Sequence, residues 1–151
     1  MFHLICQIKK IYDLSWQERK FLLLILGLAG LIRAAILLFP FKWIALFLGK
    51  RMVESSVSIS VDEQANVQKI AKYIALISRY TPWQSTCLVQ AVIGKLLLRY
   101  IGLSNTLYLG VGRIDDKLVA HAWLRCGPLI VTGGIGYKHF NIVGKFADLD
   151  R

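Results

Sequence analysis

Apolar residues recur along this chain with two different periods, and the change of period divides it. At Val67, Ile70, Ala71, Ile74 and Ile77 the spacing is three and four residues, the single stripe of a helix lying on a core. Ser60 and Glu63 make the S-x-x-E signature of a capping box that opens this helix, and Pro82 ends it. A second helix is predicted from Thr86, with Ser85 as a candidate cap and Gly102 as a left-handed stop. Its positions from Leu88 to Ile101 leave little polar surface, so it is expected to be the central, most buried helix.

Beyond this helix the period falls to two. Thr106 to Val111 reads as a strand, Asp115 and Asp116 mark a turn, Leu118 to Cys126 is a second strand, and Gly127-Pro128 turns the chain into a third, LIVT. The glycine-rich tail from Gly133 is expected to return Phe140, Ile142, Val143 and Phe146 to the core. Helices followed by an antiparallel meander make an α+β fold.

Upstream, Asp13 or Ser15 is placed to cap a helix, and from Phe21 to Ile32 twelve consecutive residues are apolar or glycine. With Arg33 included the apolar run reaches Phe41, 21 residues, close to a bilayer span in length. Arg33 inside the run and Pro40 at its end favour a buried or interfacial helix over a crossing one. Residues 54–61 alternate weakly and read as a linker or a short extended piece. The chain therefore divides into an apolar, basic helical segment, 1–56, and an α+β domain, 57–151.

The 151 residues carry a net charge of +10 and are 56% hydrophobic, a combination that asks for a membrane surface or a partner. No nucleic-acid motif is present, and the N-terminal basic residues are interleaved with bulky apolar ones, which favours an anionic membrane surface or an acidic peptide. Cys6, Cys87 and Cys126 have no metal-ligand spacing. Their odd number and the absence of a signal-peptide pattern point to a reducing cytosol.

Candidate chemistry centres on two residues. Cys87 falls in the first turn of the second helix, among unpaired N–H groups and the positive end of the helix dipole, surroundings that favour a nucleophilic thiolate. His121 lies on the second predicted strand, sharing a face with Val119, Trp123 and Arg125, with small Ala120 and Ala122 beside it. A helix-start cysteine followed by a strand histidine is the order found in papain-like and transglutaminase-like enzymes. The competing readings are a small core cysteine and a satisfied sheet histidine. Gln84 is a candidate oxyanion donor, while His3, His139, Cys6 and Cys126 lack a supporting context.

A third group should orient the imidazole. With Gly127 and Pro128 as loop residues, His121 faces Gly134, or Gly133 after a one-residue change of register, and neither has a side chain. Thr132 is adjacent; Asn141, Asp148 and Asp150 need a returning loop.

The segments TPWQSTCLVQA, LLLRYIG, LYLGV, AHAWLRCG and VTGG resemble the C-terminal peptidase domain of lasso-peptide maturation proteases, the transglutaminase-like leader peptidases called lasso peptide biosynthesis B proteins. The resemblance implies a papain-like or transglutaminase-like core, a central helix on an antiparallel sheet. By it Cys87 is the nucleophile and His121 the general base of a cysteine endopeptidase that needs no metal or cofactor. The substrate would be a ribosomally made precursor peptide, cut between leader and core. Gly133 stands where the family often has an aspartate, so the resemblance implies that a backbone carbonyl, water or Thr132 substitutes in the third role, or that activity is lower. Residues 1–56 look too apolar for a fused leader-recognition domain, so a separate leader-binding protein is implied, together with a lactam-forming cyclase. The other readings are a non-catalytic, membrane-associated scaffold of such a complex and an acyltransferase on the same fold.

Overall fold

A computed structural model describes residues 14–81 and 86–149. Helix α1 (Trp16–Leu38) opens at a capping box in which Ser15 Oγ accepts the Glu18 N–H at 3.3 Å and Glu18 Oε2 accepts the Ser15 N–H at 2.9 Å. Ser15 is thus the cap that is used; Asp13 lies outside the described residues. Leu22, Ile25, Ala29 and Ile32 form the buried stripe of α1. The residue before a proline is driven out of helical geometry, so Phe39 is extended and the helix stops. Pro40 then opens a short second helix, α2 (Phe41–Ala45).

Helix α3 (Val61–Tyr80) starts at the predicted capping box: Ser60 Oγ accepts from Glu63 N at 3.2 Å, and Glu63 Oε2 accepts from Ser60 N at 2.6 Å. It buries Val67, Ile70, Tyr73 and Ile74, while Ala71 and Ile77 sit at the rim of the same stripe. Tyr73 Oη donates to Glu18 Oε1 at 2.6 Å, which ties α3 to the first turn of α1. Helix α4 (Cys87–Tyr100) is the most buried, as its composition predicts, and Gly102 follows it at φ +79°.

The remaining elements build one sheet: β1 (Lys50–Arg51), β2 (Asn105–Ile114), β3 (Lys117–Cys126), β4 (Leu129–Thr132) and, after a 3-10 turn at Tyr137–His139, β5 (Asn141–Asp148). Its order is β1-β5-β2-β3-β4, with every pair antiparallel. Asp115 and Asp116 take the two positive φ angles, 49° and 61°, of a tight β2–β3 hairpin. The three predicted strands are present, but the tail is a strand as well. β5 inserts beside β2, so Phe146 reaches the core while Ile142 and Val143 remain exposed.

One face of the sheet carries Leu107, Ala122, Leu124 and Phe146 into a single hydrophobic cluster with α1, α3 and α4. Gly94 of α4 is the point of closest approach: a Cβ there would lie 2.6 Å from Leu124 Cδ2. Lys95, next in the chain, was not foreseen in this role. Its ammonium is fully buried and donates to Asn105 Oδ1 and the Phe146 carbonyl, both at 3.0 Å, with Asp148 Oδ2 at 3.1 Å. Burial pushes its pKa down to about 8, against the opposing pull of Asp148. Arg99 grips the same Asp148 through Nε at 3.0 Å and Nη2 at 2.8 Å. This network pins the C-terminal half of α4 to the start of β2 and the end of β5.

Candidate active site

Cys87 is the first residue of α4. Thr86, extended at φ −66° and ψ 160°, is the cap, its hydroxyl accepting the Val89 N–H at 3.4 Å. The helix therefore begins one residue later than its pattern suggests; Ser85, Gln84 and Trp83 lie outside the described residues. The first turn of α4 contains no acidic residue, so no carboxylate within it offsets the positive end of the helix. The Cys87 side chain is half-buried against the rim of the core.

His121 sits in β3 opposite Gly110 of β2. Its Nε2 is 2.8 Å from the carbonyl oxygen of Gly133. A carbonyl can only accept, so Nε2 carries the hydrogen, and in the neutral ring Nδ1 keeps its lone pair. The imidazole is also gripped by aromatic rings: Phe140 at a centroid distance of 4.8 Å and Trp123 at 5.9 Å. Trp123 in turn stacks on Tyr108 at 5.4 Å and meets Tyr137 at 5.7 Å. Gly110 and Gly112 make room for this cluster, since a Cβ on Gly110 would come within 2.8 Å of Trp123 and 2.9 Å of Phe140.

The Lys95 and Arg99 bonds show how α4 runs over the sheet. Its C-terminal half covers Asn105 and Asp148, so its start points toward the end of the sheet where β3 residue numbers fall. From Gly94 back to Cys87 is about 10 Å along the helix, at 1.5 Å per residue. From Leu124 back to His121 is about 10 Å along the strand. Both residues thus lie toward that end of their own elements. Strand alternation, however, turns His121 to the face away from Leu124, beside the edge of β3 that β4 leaves unpaired beyond Leu124. The hydrogen bond His121 makes among the described residues is to Gly133, and none joins it to Cys87.

The candidate orienting groups fall into place differently. A bulge shifts the β3–β4 register, pairing Leu124 with Thr132 but Arg125 with Ile130. Thr132 faces α4, its Oγ1 without a hydrogen-bond partner among the described residues. Asp148 is bound to Lys95 and Arg99 at the far end of α4, and Asn141 is exposed opposite Val111. Asp150 lies outside the described residues. Gly133 remains, at φ +69°, where an added Cβ would meet Ala122 O at 2.3 Å and Trp123 Cβ at 2.9 Å. No side chain fits there, and the backbone carbonyl is what reaches the imidazole. Cys126 is buried, donating to Ser104 O at 3.3 Å, and His139 lies exposed in the 3-10 turn.

A family model described as the transglutaminase-like superfamily matches residues 35–144, well over half of the chain. The chain belongs to this superfamily. Its helices packed on an antiparallel sheet, with an apolar N-terminal helix before them, are a transglutaminase-like fold. Membership suggests cysteine peptidase or acyltransferase activity. No curated protein and no solved structure matches the chain. A backbone carbonyl was among the expected substitutes for the aspartate missing at Gly133, and the carbonyl of Gly133 itself is the one that reaches His121; the role of Phe140 was not read from the sequence, where the available signal was the pair Gly110 and Gly112 inside a strand, which marks a close approach.

Proposed function

We propose that this chain is a cysteine peptidase that removes the leader from a ribosomally made lasso-peptide precursor. Cys87 is the nucleophile and His121 the general base. The observation that carries the reading is the His121–Gly133 hydrogen bond, because it presents Nδ1 as the basic nitrogen of an imidazole whose ring is fixed by Phe140 and Trp123. The position of Cys87 at the start of an α4 free of acidic residues in its first turn supports the nucleophile's role. The superfamily match supports acyl chemistry at a cysteine.

In this mechanism Nδ1 of His121 takes the thiol proton as Sγ of Cys87 bonds to the scissile carbonyl carbon. Backbone N–H groups of the first turn of α4 donate hydrogen bonds to the carbonyl oxygen as negative charge develops on it. The carbon–nitrogen bond breaks, the imidazolium protonates the departing amine, and a thioester to the leader remains. Water then attacks this thioester, giving its proton to Nδ1, and the leader leaves as a carboxylic acid while the thiol is restored. The freed core amine would pass to a lactam-forming cyclase, and a separate leader-binding protein would present the precursor. The reducing cytosol is the setting we assign to this chemistry.

The test is incubation of purified protein with a candidate precursor, followed by mass spectrometry. Two fragments whose masses sum to the precursor plus one water, lost in Cys87→Ala, support hydrolysis. A new amide joining leader to an added amine supports acyl transfer on the same fold, which superfamily membership also favours. An intact precursor with its leader-binding partner present speaks for a non-catalytic scaffold.

A further inference from the structure

We infer that the outward face of α1, continued by α2, is a docking surface for an anionic lipid bilayer, on which the protein lies without crossing it. The inner stripe of α1 is committed to the core through Leu22, Ile25, Ala29 and Ile32. Opposite it, at helical spacing, stand Leu23, Leu24, Leu31 and Leu38, between 51% and 75% exposed, with Gly27 and Ala34 among them. No charged residue interrupts this outer face between Lys20 and the end of the helix. It extends about 22 Å from Leu23 to Leu38, and an uninterrupted exposed apolar face of this kind marks an interaction surface.

Exposed apolar residues continue in the chain after α1. Trp43, Leu46 and Phe47 of the following turn are 58%, 77% and 73% exposed. Exposed Lys42, Lys50 and Arg51 stand beside them, and Lys20 and Trp16 mark the other end. Apolar side chains bordered by tryptophan and by basic groups match the headgroup region of an anionic bilayer, where indole rings partition and lysines meet phosphates. A protein partner would need acidic groups set at both ends of a leucine face, whereas tryptophan and basic residues flanking an uncharged apolar face are the arrangement that a bilayer interface selects.

α1 is long and apolar enough to cross a membrane. Crossing, however, would strip Leu22, Ile25, Ala29 and Ile32 from the core. It would also break the Tyr73–Glu18 hydrogen bond and take Arg33 into hydrocarbon. Lying in the interface exposes the outer face to lipid and leaves all of these in place.

The full chain is mixed with vesicles of phosphatidylcholine alone or enriched in phosphatidylglycerol and sedimented. It should pellet with the anionic vesicles, less so as salt rises, and be released by alkaline carbonate. The double variant Leu23→Glu with Leu31→Glu touches only the outer face and should lower partitioning roughly a hundredfold without lowering the urea midpoint. Retention after carbonate would mean a crossing helix and overturn the inference. So would unchanged partitioning of the double variant, failure of the wild type to pellet with anionic vesicles, or a dimer in solution that the double variant dissolves. None of these readouts depends on peptide cleavage, so the surface and the proposed activity stand or fall separately.

Discussion

His121 Nε2 donates to the Gly133 carbonyl across 2.8 Å, and Gly133 reaches that position only because its φ is +69°. The orienting partner of the imidazole is thus a backbone atom, fixed by a conformation that L side chains avoid. Where the resemblance leads one to expect an aspartate, the fold has no room for a Cβ. Gly133→Asp should therefore fail to restore a third acid. It should instead destabilise the fold by about 1 to 3 kcal/mol or more, from left-handed strain and collision with Ala122 and Trp123. Urea unfolding checks this; a variant as stable as wild type with faster cleavage would contradict it.

The buried Lys95 network makes a second prediction. Asp148→Asn leaves the Lys95 ammonium without its counter-charge and should cost about 3 to 5 kcal/mol, whereas Lys95→Met, which leaves Asp148 to Arg99, should be far milder. Because the folded-state pKa of Lys95 is about 8, below the 10.5 of a free lysine, the unfolded chain binds more protons between those values. Stability should rise with pH from about 8 toward 9.5, and Lys95→Met should abolish that rise. Tyr73, pushed up to about 12 by burial and the Glu18 hydrogen bond, acts in the opposite direction only above 10. Urea midpoints at several pH values distinguish the two; a flat profile in the wild type would count against the buried charge.

Much of this arrangement was legible because its signals are local. The Ser60–Glu63 capping box, the Gly102 stop, the Asp115–Asp116 hairpin and the LIVT strand each depend on residues close in sequence. β5 was missed because Gly144 and Lys145 interrupt its pattern and its partners in β2 are thirty or more residues away. Lys95 reads as a surface break in an apolar helix until Asn105 and Asp148 arrive from distant strands. In the site, Cys87 at a helix start and His121 on a strand were readable. The bulge between Leu124 and Arg125, which decides what stands beside His121, was not.

A third prediction concerns α1. The Tyr73 hydroxyl, with the Ser15 N–H and hydroxyl, holds the Glu18 carboxyl down to about 2. This contribution to α1 docking is present above the ordinary carboxylate value of 4.5 and is lost as pH falls toward 2. Hydrogen exchange of α1 amides should accelerate across that window relative to α4, and Glu18→Gln should flatten the difference. Equal acid sensitivity in wild type and variant would remove Glu18 from this role.

The aromatic grip on the imidazole is separable from the fold. Phe140→Leu keeps an apolar side chain over Gly110 and Gly112 but removes the ring 4.8 Å from His121. It should lower cleavage by about tenfold while changing stability by less than about 1.5 kcal/mol. Loss of stability without loss of turnover per folded molecule would make Phe140 a packing residue only.

The reaction of Cys87 with iodoacetamide near neutral pH, compared between wild type and His121→Ala, tests most directly whether the two residues work together. Cys87 should be modified well before buried Cys126, and at least about tenfold faster in the wild type than in the variant. Equal Cys87 rates with and without the imidazole would contradict the pairing on which the proposed peptidase depends.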